Sequence, residues 1–107
     1  MIYICYVMPL YFLNKYIKIE PNIFIVKMAE FKKWIFHNCI YIKSITLQNV
    51  TEIGPYAFSN CEKLTSIILS NGLIKLGKNA FSNCRNLTTI IIPDSVTEIE
   101  SYAFENC

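Results

Sequence analysis

Leu73-Ile-Lys-Leu-Gly-Lys-Asn-Ala-Phe-Ser-Asn-Cys84 restates Val50-Thr-Glu-Ile-Gly-Pro-Tyr-Ala-Phe-Ser-Asn-Cys61 at a step of 23 residues. Val96-Thr-Glu-Ile-Glu-Ser-Tyr-Ala-Phe-Glu-Asn-Cys107 restates it again at the same step. A fixed period of this length marks stacked units, none of which closes a core by itself. A weaker copy ends at Asn38-Cys39, one step of 22 before Cys61. In it Met28, Phe31, Trp34, Ile35 and Phe36 stand where Val50, Ile53, Tyr56, Ala57 and Phe58 stand later. The linking segments match too: Ile42-Lys-Ser-Ile-Thr-Leu47, Leu64-Thr-Ser-Ile-Ile-Leu69 and Leu87-Thr-Thr-Ile-Ile-Ile92. Residues 28–107 therefore divide into 28–49, 50–72, 73–95 and an incomplete 96–107. Residues 1–27 are set apart as an apolar leader or cap, although Ile17-Lys-Ile-Glu-Pro21 faintly matches the Ile92-Pro93 region.

Each period reads as two short extended pieces and one tight turn. Leu64-x-x-Ile67-x-Leu69 ends in the alternation of a half-buried strand. Val50-x-x-Ile53 and Leu73-x-x-Leu76 form a second extended piece. Gly54 and Gly77 are expected to permit a sharp bend through positive φ. Ala-Phe-Ser-Asn-Cys is expected to form one helical or 3₁₀ turn.

Composition narrows the class. Of the 107 residues, 53% are hydrophobic and 17% charged, which excludes a disordered chain. The formal net charge is +2, split as +4 over residues 1–50 and −2 over 51–107, too little for a nucleic-acid footprint. Lys32-Lys33-Trp34 is a solvated edge on this reading. No apolar run reaches the length of a membrane span. Residues 1–13 carry no charge and suit a signal-peptide core in length, yet lack a basic stretch before and a small-residue cleavage site after. A buried strand, a cap, a poorly ordered leader or a start placed too far upstream are the other readings.

The pattern Leu-x-x-Ile-x-Ile-Pro-x-Ser-Val-x-x-Ile…Ala-Phe-x-x-Cys resembles the BspA-like class of leucine-rich repeat, and residues 87–107 follow it almost position by position. Ser70 and Gln48 stand for Pro93 in earlier copies, and Glu100 stands for Gly54 and Gly77. The resemblance implies a β-dominated solenoid, a right-handed arc of short parallel strands with one strand per repeat. It also implies a non-enzymatic protein-binding or adhesion scaffold at a cell surface or outside the cell, of the kind bacteria and protists direct at host proteins or matrix. An intracellular structural or interaction scaffold is the alternative.

Stacking turns equal positions into columns. Cys39, Cys61, Cys84 and Cys107 form one, with Cys5 left over, and no C-x-x-C pair offers a zinc motif. Stacked strands lie about 4.8 Å apart, whereas a disulfide wants Cβ atoms roughly 3.5–4.5 Å apart. Buried free thiols are expected, as the resemblance also implies. Phe36, Phe58, Phe81 and Phe104 form a core aromatic column, and Ile53, Leu76 and Ile99 another. Asn38, Asn60, Asn83 and Asn106 are expected to hold loop backbone. Glu52, Lys75 and Glu98 alternate in sign along the axis and read as register control.

No catalytic or cofactor chemistry emerges. His37 is the one histidine, and its equivalents Ser59, Ser82 and Glu105 assign it an exposed turn. A Cys39–His37 pair lacks an orienting third group. Three glycines cannot build a phosphate loop. The remaining surface is the strand face: Ser44, Thr46 and Gln48, then Ser66, Ile68 and Ser70, then Thr89, Ile91 and Pro93. Ser44, Thr46, Ser66, Ile68, Thr89 and Ile91 are the candidate protein-binding residues, because an uncharged strip is cheap to desolvate. A protein or peptide partner is expected, with no nucleic acid and no membrane span. Residues 87–92 would leave an open, Ile-rich edge, so the chain reads as part of a longer array that self-associates through that end.

Overall fold

The computed structural model describes residues 17–20, 23–26, 30–31, 36–38 and 42–107. Eight strands are described in chain order: β1 (Ile17–Glu20), β2 (Ile23–Val26), β3 (Glu30–Phe31), β4 (Ser44–Leu47), β5 (Glu52–Ile53), β6 (Ser66–Ile68), β7 (Lys75–Leu76) and β8 (Glu98–Ile99). They form two sheets, ordered β1-β2-β4-β6 and β3-β5-β7-β8. All pairings are parallel and between neighbouring repeats except β1 with β2, which is antiparallel. Parallel in-register stacking is the geometry of a repeat solenoid, and the repeats 28–49 and 50–72 each supply one strand to each sheet. The antiparallel β1 pairs with β2 and is the outermost described strand of the first sheet at that end. Residues 1–13, Cys5, Met28, residues 32–35 and Cys39 lie outside the described residues.

The strands are short because their job is to place columns. In β4 and β6 the inner residues Ile45, Leu47 and Ile67 are buried, as is Leu69 just after β6, while the alternate residues face outward. Ile45 sits opposite Ile67 in register. In the second sheet Ile53 and Leu76 are fully buried and opposite each other. Between the sheets Phe36, Phe58, Phe81 and Phe104 stack nearly parallel, with centroids 5.1, 5.1 and 5.5 Å apart. The first three rings are fully buried, and Phe104 is partly buried against the same core.

The Ala-Phe-Ser-Asn-Cys segment departs from the expected helical or 3₁₀ turn. It is a run of linked β-turns with alternating allegiance. Ala57, Ser59 and Cys61 donate their N–H groups three residues back, to Gly54, Tyr56 and Phe58. Tyr56, Phe58 and Asn60 donate instead to Lys78, Ala80 and Ser82 of the next repeat. A helix would spend every amide inside its own repeat. Here half of them tie neighbours together. The path requires left-handed residues at two positions per turn: Tyr56, Asn79 and Tyr102 at one, and Asn38, Asn60, Asn83 and Asn106 at the other, with φ between 56° and 60°. Asn tolerates this region, whereas Tyr56 and Tyr102 carry strain there on the order of 1–2 kcal/mol.

The glycines work differently from the expectation, since no glycine has positive φ. A Cβ on Gly77 would lie 2.7 Å from Gly54 C and Pro55 N and 2.8 Å from Ile53 O. Gly77 is therefore a site of close backbone approach between repeats, where its amide reaches Ile53 O at 2.8 Å. Another correction concerns residues 87–92. Leu87 is buried and Ile90 and Ile92 pack on the core, as in a strand. Yet among the described residues 88–92 form no main-chain hydrogen bond, and the first sheet ends at β6.

The charge column is present and extended by one member. Lys75 lies opposite both Glu52 and Glu98, but its shortest ion pair is with Glu100, at 2.9 Å against 3.7 Å for Glu98. The second Glu100 oxygen accepts the N–H of Lys78 at 2.9 Å. Pro55 holds the equivalent position one repeat earlier and has no N–H to satisfy. Both bonds hold the Glu100 carboxyl below its ordinary value, the Lys75 bond contributing most, and the same bond raises Lys75.

Two outcomes follow from this packing. Phe81→Ala is expected to destabilise by about 3–5 kcal/mol, since rings on both sides lose a neighbour. Phe104→Ala is expected to cost clearly less, and denaturant unfolding compares the two. Glu100, lowered in the folded state, contributes stability that is present above its ordinary value of 4.5 and lost as pH falls through the folded value. Glu100→Gln should therefore remove part of the acid dependence of the unfolding midpoint, and added salt should shrink the difference. Unchanged pH and salt profiles in the variant would overturn the pairing.

Candidate functional site

Four of the six candidate residues lie on β4 and β6, and Thr89 and Ile91 lie on the segment 88–92 that follows the sheet without joining it. Ser44 and Thr46 are half-buried, while Ser66, Ile68, Thr89 and Ile91 are exposed. Register aligns Ser44 with Ser66 and Thr46 with Ile68. Thr89 and Ile91 hold the same places one 23-residue step later. Two columns result, one of hydroxyls and one running Thr46, Ile68, Ile91. Ile68 is 60% exposed and Ile91 87%, against 51% for Ile74 off the face. Strand alternation causes this, because burying Ile67 and Ile90 turns Ile68 and Ile91 to solvent.

Three flanking positions differ from one another. Gln48 is exposed and Pro93 half-buried. Ser70 does not belong to the face. It is buried, accepts the Val50 N–H at 3.1 Å and donates to Val50 O at 2.8 Å. Its hydroxyl bridges the end of the 50–72 repeat to that repeat's own first residue. The rim beyond the strands forms an open groove of about 580 Å³, lined by residues that include Gln48, Asn49, Ile68 and Asn71. Periodicity alone did not reveal that groove, because it arises from the bends after Leu47 and Leu69.

The other columns are structural. Cys61, Cys84 and Cys107 are free thiols, the first two buried. Each donates to the Phe carbonyl of the preceding repeat, at 3.1 to 3.2 Å. Burial pushes the Cys107 thiol upward, away from the reactive thiolate. The asparagines bond each other rather than loop backbone. Asn60, Asn83 and Asn106 each donate Nδ2 to Oδ1 of the previous Asn at 2.9 Å. His37 is half-buried rather than exposed, with Nδ1 in contact with Ser59 Oγ, and burial lowers its pKa. This is no nucleophile–base pair, since Ser59 is 2% exposed and its hydroxyl also reaches Tyr56 O.

Among the described residues, no helix is long and apolar enough to cross a membrane, and no group of three or more His, Cys, Asp or Glu could hold a metal ion. What the six candidate positions offer is an uncharged set of hydroxyls and two exposed isoleucines.

The repeat is matched by the family model of the BspA type leucine rich repeat region, in six copies over residues 10–107. A leucine-rich repeat protein from Bacteroides ovatus superposes with a TM-score of 0.72 at 27% identity, covering 78% of this chain and 25% of that one. A leucine-rich repeat protein of T. pallidum superposes with a TM-score of 0.58 at 24% identity, covering 85% and 64%. The chain thus spans less than two thirds of either structure. No match was found among functionally curated proteins. With the family model covering nearly all the described columns, the chain belongs to the BspA-type leucine-rich repeat family.

Proposed function

We propose that the chain is a non-enzymatic protein-binding scaffold of the adhesion type, displayed at a cell surface, and that the outward columns of the strand face are its contact surface. The observation that carries this reading is the exposure of Ile68 and Ile91 within an uncharged strip of hydroxyls. Such a strip loses little hydration on contact, and two apolar anchors on a fixed frame lose little side-chain freedom. Family membership supports a protein-interaction role. The test is binding of the purified chain to immobilised extracellular-matrix proteins. Ile68→Glu with Ile91→Glu should weaken it about tenfold or more, which corresponds to about 1.4 kcal/mol. Ile74→Glu, at an exposed isoleucine off the face, should leave binding unchanged. Equal binding by the face variant would overturn the assignment.

A second reading rests on residues 88–92, Thr-Thr-Ile-Ile-Ile, whose main chain has no ladder partner among the described residues. Five β-branched, uncharged residues in a row favour pairing with another strand. Self-association through this segment is therefore proposed alongside. Sedimentation should show a concentration-dependent dimer that Ile91→Lys disperses, and a monomer at all concentrations would eliminate it.

A further inference from the structure

Asn71 and Gly72 occupy the bend that leads from β6 toward β7. Leu73 N–H donates to Ser70 O at 3.0 Å and closes a β-turn with Asn71 and Gly72 at its corners. Both residues are exposed, and neither has positive φ. The Asn71 side chain and the Gly72 N–H make no hydrogen bond among the described residues.

The contrast with the other asparagines is systematic. After Asn49, Asn60, Asn79, Asn83, Asn86 and Asn106, the following amide is donated: Val50 to Ser70 Oγ, Cys61 to Phe58 O, Ala80 to Gly77 O, Cys84 to Phe81 O, Leu87 to Cys84 O and Cys107 to Phe104 O. Each of those residues also carries a Cβ that crowds its own nitrogen. Asn71 alone among these seven is followed by an amide that is both undonated and unshielded. A Cβ built on Gly72 meets nothing within 4 Å, so open solvent surrounds the pair.

We infer that Asn71 is a site of spontaneous modification, at which the Gly72 nitrogen attacks the side-chain amide of Asn71. The bond from Gly72 N to Asn71 Cγ forms, the bond from Cγ to Nδ2 breaks, ammonia leaves, and the Gly72 proton passes to solvent base. Water then opens the resulting five-membered imide at one carbonyl or the other. The products are aspartate and isoaspartate, and no oxidation or reduction occurs. Either product adds one negative charge to a chain of formal net charge +2. That charge appears in the rim groove beside Ile68, Gln48 and Asn49, where the native lining holds no charged residue. The surface beside the strand face thus becomes acidic with age.

The test is incubation of the folded 107-residue chain in mildly alkaline buffer, followed by tryptic mapping. Residues 64–75 form one tryptic peptide whose only side-chain amide is Asn71. That peptide should show the mass gain of an amide converted to an acid, become a substrate for an isoaspartate methyltransferase, and do so ahead of every other Asn-containing peptide. Gly72→Ala should slow the conversion more than about tenfold, because the added Cβ shields the nitrogen. The open space at Gly72 means that this variant keeps the wild-type unfolding midpoint. The inference fails if the folded chain leaves peptide 64–75 unchanged over a time in which the urea-unfolded chain converts it. It fails equally if Gly72→Ala converts at the wild-type rate.

Discussion

The division of the turn amides between two repeats is the constraint on which the rest depends. In residues 54–61 and 77–84, one N–H closes a turn in its own repeat and the next reaches a carbonyl of the following repeat. The turn is thereby a ladder rung as much as the strands are. Because its rungs lie between the two sheets, both sheets must keep the same step. The phenylalanine stack, the thiol bonds to Phe carbonyls and the asparagine chain all sit on this segment. Each needs equal positions to lie nearly one above the other. Loss of one inter-repeat rung would leave a buried amide unsatisfied as well as shifting the column above it.

The cost of this arrangement falls on local conformation. Two left-handed residues per turn are needed to point successive N–H groups in alternating directions. Asparagine suits such positions, and a chain of Asn side chains adds a second use for the same residue. Tyr56 and Tyr102 occupy a position that Asn79 fills with less strain. They persist because the surrounding rungs over-determine the backbone there.

Much of this was legible in the sequence, for a physical reason. Columns follow from period, so the Phe, Cys and Ile/Leu columns and the outward strand face could be read by aligning copies. What could not be read was the direction in which a polar group is spent. Gly54 and Gly77 suggested positive φ, whereas Gly77 is small because Gly54 and Pro55 backbone passes where its Cβ would be. Ser70 looked like a face residue but bonds Val50 on both backbone groups. Residues 87–92 keep the side-chain alternation of a strand without its hydrogen bonds, which composition cannot distinguish. The asparagine chain was hidden for the same reason, since an amide side chain serves backbone or a like neighbour equally well.

Columns also limit what a face can be made of. In a parallel in-register stack, a charge repeated at one position would meet its own kind about 4.8 Å away at every step. The fold solves this twice, in different ways. On the second sheet the sign alternates through Glu52, Lys75 and Glu98, and Glu100 binds Lys75 more closely than either. On β4 and β6 charge is absent, and hydroxyls and isoleucine take the outward places, whereas Lys18 and Glu20 stand on β1 of the same sheet. An outward column without charge has no like-charge repulsion to relieve from one repeat to the next. The repeat step that stacks the core thereby also fixes the spacing of the outward places, as the register of Thr46 with Ile68 does.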